Sequence, residues 1–167
     1  MDQYAEHLIG RYRSAGVLVD TNLLLLYFIG RYDQGLIERW GRTNDRFVSV
    51  DYDTLLLLLE RFDTLVVTPH VLTEVSNLLG YLNEPARSEC RELFGQTIRS
   101  LMDEKRTSGD DLSEHRAFLP FGIADASVAD AAAGSYLVLT DDLDLYGYLE
   151  NEGVGVLNFN EIRSLAY

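Results

Sequence analysis

The chain has 167 residues, enough for one domain spanning 1–167 with a sizeable core, and its hydrophobic fraction of 47% and charged fraction of 25% are those of a globular protein. No run of about 18 apolar residues marks a membrane span, Asp2, Glu6 and His7 make the start unlike a signal peptide, and the lone Cys90 allows no internal disulfide, so a cytoplasmic protein is expected. The net charge of −13 argues against nucleic acid as a partner, because phosphate attracts Lys and Arg, although the charge is unevenly spread.

Val17-Leu18-Val19 reads as a short strand ending at Asp20-Thr21-Asn22, and Leu23 to Gly30 as a buried helix. Asp33 to Gly41 reads as an amphipathic helix, and Asp53-Thr54 as the cap of a helix over Leu55 to Phe62. Leu65-Val66-Val67 is a second strand. Thr68-Pro69 supplies an N-cap hydroxyl and a proline suited to the first helical position, with a helix from about His70 to Leu82. Pro85 starts another helix, ending near Lys105, and Thr107 to Glu114 reads as a loop. Asp125 to Ala133 is a small-residue helix closed by Gly134, followed by a strand from Tyr136 to Thr140. A helix over Leu143 to Asn151, closed by Gly153, precedes a final strand from Val154 to Leu157. Strands and helices alternating through short links imply an α/β fold: a three-layer α/β/α sandwich around a parallel sheet of four to five strands.

In such a sheet, ligands gather beyond the carboxyl ends of the strands. Asp20 follows the first strand, Asp141 and Asp142 follow the strand ending at Thr140, and Glu74 lies early in the helix after Val66-Val67. The helix from Asp125 runs roughly 14 Å away from that edge. The next strand returns about 16 Å, which brings Asp125 back level with Asp142. Carboxylates crowded in this way repel one another unless a cation joins them. Oxygen ligands suit Mg2+ or Mn2+, which can activate water and stabilise charge on a phosphodiester, so hydrolysis is the expected reaction. Individually, Asp20 suits a turn with a helix cap, Glu74 suits stabilisation of a helix dipole, and Asp125 and Asp141-Asp142 suit helix caps. His7, His70, His115 and Cys90 are scattered without zinc spacing.

The run Val17-Leu-Val-Asp-Thr-Asn22 resembles the opening motif of PIN-domain nucleases. Thr68 to Val75 resembles their second motif, Gly122 to Val128 their third and Leu137 to Leu145 their fourth, while Val154 to Arg163 looks like their closing strand and tail. The resemblance implies a PIN-like fold and metal-binding acids at Asp20, Glu74, Asp125 and Asp142, supported by Asn22, Thr140 and Asp141. It implies RNA hydrolysis leaving a 5′-phosphate and a 3′-hydroxyl. The toxin-like branch is the most similar, which brings in a protein antitoxin as partner. Two features depart from the pattern: residues 30–65 are longer than in compact toxins, and the fourth motif is doubled, so Asp141 competes with Asp142. The family's acid usually lies two positions after this threonine, which favours Asp142.

Residues 1–50 hold six Arg and six acids, whereas 121–167 hold Arg163 and eight acids. In the neutral part Arg31, Arg39, Arg42 and Arg46 mix with Tyr32, Trp40 and Phe47, a composition that can hold single-stranded RNA. The alternative for that stretch is a solvated helix face with its aromatics turned inward. Apolar helices after the first strand are compatible with a homodimer. Two other functions compete with nuclease action: a PIN-like module that binds RNA or protein with little or no catalysis, and a haloacid-dehalogenase-type phosphatase. The latter chemistry wants an acid where Asn22 stands.

Overall fold

A computed structural model describes residues 3–165. In chain order the elements are α1 (Gln3–Tyr12), β1 (Val17–Val19), α2 (Thr21–Tyr32), α3 (Gln34–Ile37), α4 (Ser49–Leu59), β2 (Leu65–Val67), α5 (Pro69–Leu79) and α6 (Ala86–Leu101). There follow β3 (Met102–Glu104), α7 (Gly109–Glu114), α8 (Phe118–Phe121), α9 (Ile123–Ala132), β4 (Leu137–Thr140), α10 (Leu143–Asn151), β5 (Val156–Asn158) and α11 (Phe159–Ser164).

The strands form one five-stranded sheet in the order β3-β2-β1-β4-β5, and every pairing is parallel. Consecutive strand residues point to opposite faces, yet Val17, Leu18 and Val19 are all buried, as are Leu137 to Thr140. Both faces of the central strands are therefore covered, and the α/β/α sandwich stands. The expectation of four to five strands is met at five. No helix among the described residues is long and apolar enough to cross a membrane.

Register puts the site in place. Val17 lies opposite Leu65 on one side and Leu137 on the other, so β1, β2 and β4 end at one level. The order of strands reverses between β1 and β4, because β2 and β3 extend one way from β1 and β4 and β5 the other. That reversal opens a crevice at the carboxyl edge, bounded by Asp20 after β1 and by Asp141 and Asp142 after β4. Residues Leu23 to Gly30 of α2 are buried without interruption, so this helix is wrapped on all sides and its first turn is fixed at the crevice.

Several elements differ from the sequence expectation. The helix expected over Asp33–Gly41 stops at Ile37. The buried Thr43 hydroxyl bonds back to the Ile37 carbonyl at 2.8 Å and rounds the chain into turns instead. The helix expected from Leu55 begins at Ser49, because the Asp51 carboxylate accepts the Val48 N–H at 2.9 Å, and Asp53 and Thr54 lie within it rather than capping it. The helix expected to reach Lys105 ends at Leu101, and Met102–Glu104 becomes the edge strand β3. Its polar composition hides this; pairing to β2, extended by Lys105 N–H to Val67 C=O at 2.8 Å, imposes it. Within the expected loop 107–114, Ser108 caps α7 and Leu112 anchors it in the interior.

Candidate metal centre

Asp20 is the innermost of the candidate acids, only 4% exposed. One oxygen accepts the Leu23 N–H at 3.0 Å and so caps α2. The other accepts the Thr140 hydroxyl and the Asp141 N–H, the latter at 3.2 Å. The carboxylate thereby ties the end of β1 to the end of β4. Burial, followed by the neighbouring Asp141 charge, pushes its pKa up to about 7, more than the hydrogen bonds from Leu23, Thr140 and Asp141 can offset.

Asp125 stands in the first turn of α9. The helix begins at Ile123 after Gly122, so Asp125 is not its N-cap. Gly122 has φ +87°, a left-handed conformation that a glycine adopts without penalty. Burial, then the charges of Asp142 and Glu74, raise the Asp125 pKa to about 6. These two acids come from α5 and from the end of β4, and both line the same cavity as Asp125. Beneath them, the buried hydroxyls of Thr68 and Ser127 lie 2.7 Å apart and bond α5 to α9, the two helices that carry Glu74 and Asp125.

Asp142 caps α10 through one oxygen, which accepts from the Asp144 and Leu145 N–H groups at 2.8 and 3.0 Å. Glu74 accepts the Thr21 hydroxyl at 2.8 Å. Asp20, Glu74, Asp125 and Asp142 line one cavity of about 300 Å³, together with Thr21, Asn22 and Phe121 among others. Asp141 does not line it. It accepts from Asn22 Nδ2 at 3.1 Å and pairs with Arg46 at 3.4 Å. The doubled motif thus divides its labour: Asp142 faces the cavity, and Asp141 holds the surrounding chain. Asn22 and Thr140 take supporting positions, the first on Asp141 and the second on Asp20.

The arginines of the neutral stretch separate. Arg39 pairs with Asp33 at 2.8 Å, Arg31 bonds the Tyr27 hydroxyl at 2.9 Å, and Arg42 lies over the Tyr81 ring at 4.3 Å. Only Arg46 reaches a residue beside the acids. Sequence reasoning missed what holds it there: Arg163 donates to the Arg46 carbonyl at 2.6 Å and to the buried Asp51 at 3.1 Å. It also missed Asn160, whose amide bonds the Asp141 carbonyl at 2.7 Å. Arg163 and Asn160 fall in the closing segment that the resemblance covers, but nothing in their spacing points to Asp141 or Arg46. Thr21, inside the first motif, carried a readable signal.

The donor set bears on the ion. Each carboxylate on the cavity could ligate an ion only through oxygen, and no described His or Cys lines it, a donor set that would suit Mg2+ or Mn2+ rather than zinc. Burial first, and neighbouring carboxylates second, raise the pKa values of Asp20 and Asp125. No group of three or more His, Cys, Asp or Glu among the described residues is arranged as it stands to hold an ion; Glu74 and Asp142 each turn one oxygen away, to Thr21 and to the α10 backbone.

No family model matches this chain, and no curated protein matches it either.

Proposed function

We propose that this protein is a metal-dependent endoribonuclease of the PIN type. One observation carries the proposal: carboxylates from four separate elements, Asp20, Glu74, Asp125 and Asp142, line a single cavity at the topological switch of a parallel sheet. Asp20, Glu74, Asp125 and Asp142 would hold Mg2+ or Mn2+. When bound, the ion would neutralise charge on a phosphodiester and make water a competent nucleophile at neutral pH.

The chain's own residues set the stage for that chemistry. Thr140 and the Asp141 N–H fix the inner carboxylate of Asp20. Thr21 orients Glu74, and the α10 backbone orients Asp142. Arg46, more than half exposed and tethered through Asp141, offers a guanidinium at the rim, where a backbone phosphate can meet it. The arrangement suits hydrolysis of a phosphodiester better than phosphomonoester transfer, because Asn22 donates to Asp141 where an acid would be needed.

The test is cleavage of single-stranded RNA with Mn2+, with Mg2+ and with chelator, beside Asp20→Asn and Asp142→Asn. Metal-dependent 5′-phosphate products, lost in both variants, are expected. Intact RNA under both metals, from folded protein, would overturn the proposal. A second reading, a module that binds RNA or an antitoxin-like protein without cutting, draws on the orientation of Glu74 and Asp142 toward their own hydrogen-bond partners. RNA or protein binding that survives Asp20→Asn unchanged, without turnover, would favour it.

A further inference from the structure

We propose that the exposed strip of α5 beside the acidic cavity is a track for single-stranded RNA, an inference that rests on the nuclease reading above. A second, more open groove of about 410 Å³ adjoins the cavity and shares Glu74, Phe121 and Ala124 with it. Its α5 wall presents His70 and Asn77, which lie on the same helical face as Glu74. Tyr81, four residues beyond Asn77 and 64% exposed, continues that line past the helix end. The facing wall is Phe121, at the corner where α8 turns through Gly122 into α9.

The chemistry of this groove differs from that of the cavity. Apart from Glu74 at the junction, no acid lines it among the described residues. Neither the His70 imidazole nor the Asn77 amide bonds another described side chain. A slot with an aromatic wall and amide and imidazole edges that no described side chain bonds takes a nucleobase: the ring stacks and the edges are read. No Lys or Arg among the described residues lines it to meet a phosphate.

Cations stand at the far end instead, roughly 10 Å along the helix from Glu74 at ~1.5 Å per residue. The Arg42 guanidinium lies over Tyr81 at 4.3 Å. A Cβ placed on Gly80 would lie 3.1 Å from Arg91 Nη2, so that guanidinium rests against the end of α5. Neither arginine pairs with an acid among the described residues, whereas Arg39, Arg46, Arg61 and Arg87 all do. Base slot, exposed aromatic and free cations follow one another outward from the acids. That sequence suits a splayed single strand and does not suit a stiff duplex.

The experiment is fluorescence anisotropy of a short labelled single-stranded RNA in chelator, which keeps it uncut, beside a duplex of the same sequence. The wild type is expected to prefer the single strand. Tyr81→Ala and Asn77→Ala, both at exposed positions, and Phe121→Ala should each weaken binding, the aromatic changes by about fivefold or more. Phe121→Trp should restore it. Arg42→Ala with Arg91→Ala should flatten the salt dependence of log affinity by roughly 1.4. Circular dichroism checks the folding of each variant; Tyr81→Ala and Asn77→Ala decide the matter if Phe121→Ala does not fold. Binding untouched by these changes, or equal binding of duplex, overturns the track, even if the wild type cleaves RNA under Mn2+. RNA held through these residues but never cut upholds the track and removes the nuclease reading instead. Capture of a protein through the same strip, with no affinity for RNA, also overturns it.

Discussion

Replacing Asp20 with Asn should make the metal-free protein more stable at pH 8 while removing its response to Mn2+. The direction follows from the buried carboxyl, whose pKa is raised from the ordinary 3.8 to about 7 by burial and then by Asp141. Between those values the folded protein binds more protons at this position than the unfolded chain. Stability from this group is therefore complete below about pH 4 and is lost as pH rises to about 7. Three decades of proton affinity correspond to on the order of 4 kcal/mol of stability missing at pH 8. Asparagine carries no charge to bury. Its carbonyl can still accept the Leu23 N–H, and the Thr140 hydroxyl can rotate to accept from its amide. The Asp141 N–H then faces a donor, a loss of about 1 kcal/mol. The net expectation at pH 8 is a gain of roughly 2–3 kcal/mol. Urea denaturation in chelator at pH 5 and pH 8 measures it. The wild type should gain on the variant as pH falls to 5, and Mn2+ at pH 8 should stabilise the wild type alone. A wild-type minus variant difference that does not change between the two pH values would refute the reasoning.

Asp142→Asn should remove Mn2+-dependent RNA cleavage by about a hundredfold or more without unfolding α10, because Asn caps a helix as well as Asp does; Asp141→Asn, outside the cavity, should cost much less, and parallel initial-rate assays separate the two. Asp51→Ala removes the buried acceptor of both Arg163 and the Val48 N–H, leaving Arg163 with the Arg46 carbonyl, so a loss of roughly 2–3 kcal/mol is expected in urea titration. Gly30→Ala places a Cβ 2.2 Å from the Tyr52 ring; a loss of about 1–3 kcal/mol should appear as a lower thermal midpoint. Affinity for Mn2+, read by calorimetry, should fall as pH drops through 7 and then 6, because Asp20 and Asp125 take up protons in that window and compete with the ion.

The candidate acids were legible because each sits at, or within a turn or two of, an element boundary that local residues announce. The Val17–Val19 run and the turn after it, Thr68-Pro69 before α5, and the strand ending at Thr140 are all visible in the chain. The errors fall where a distant partner decides. Met102–Glu104 has no strand pattern of its own and is extended because β2 offers it a ladder. The start of α4 is set by Asp51, itself held by Arg163 from the other end of the chain. Of the arginines singled out by composition, only Arg46 reaches the rim of the acids, and a contact more than a hundred residues away holds its backbone.

The sequence by itself determined the alternation of apolar strands and helices, the parallel sheet this requires, and the carboxylates that end up at its edge, because periodicity and capping act over a few residues. Tertiary structure alone decided that Asp141 is turned away to Asn22 and Arg46, that Asp20 is buried deeply enough to raise its pKa to about 7, and that Phe121 forms a wall shared by two grooves. Orientation and burial are properties of neighbours brought together from remote positions, and a linear reading has no measure of them.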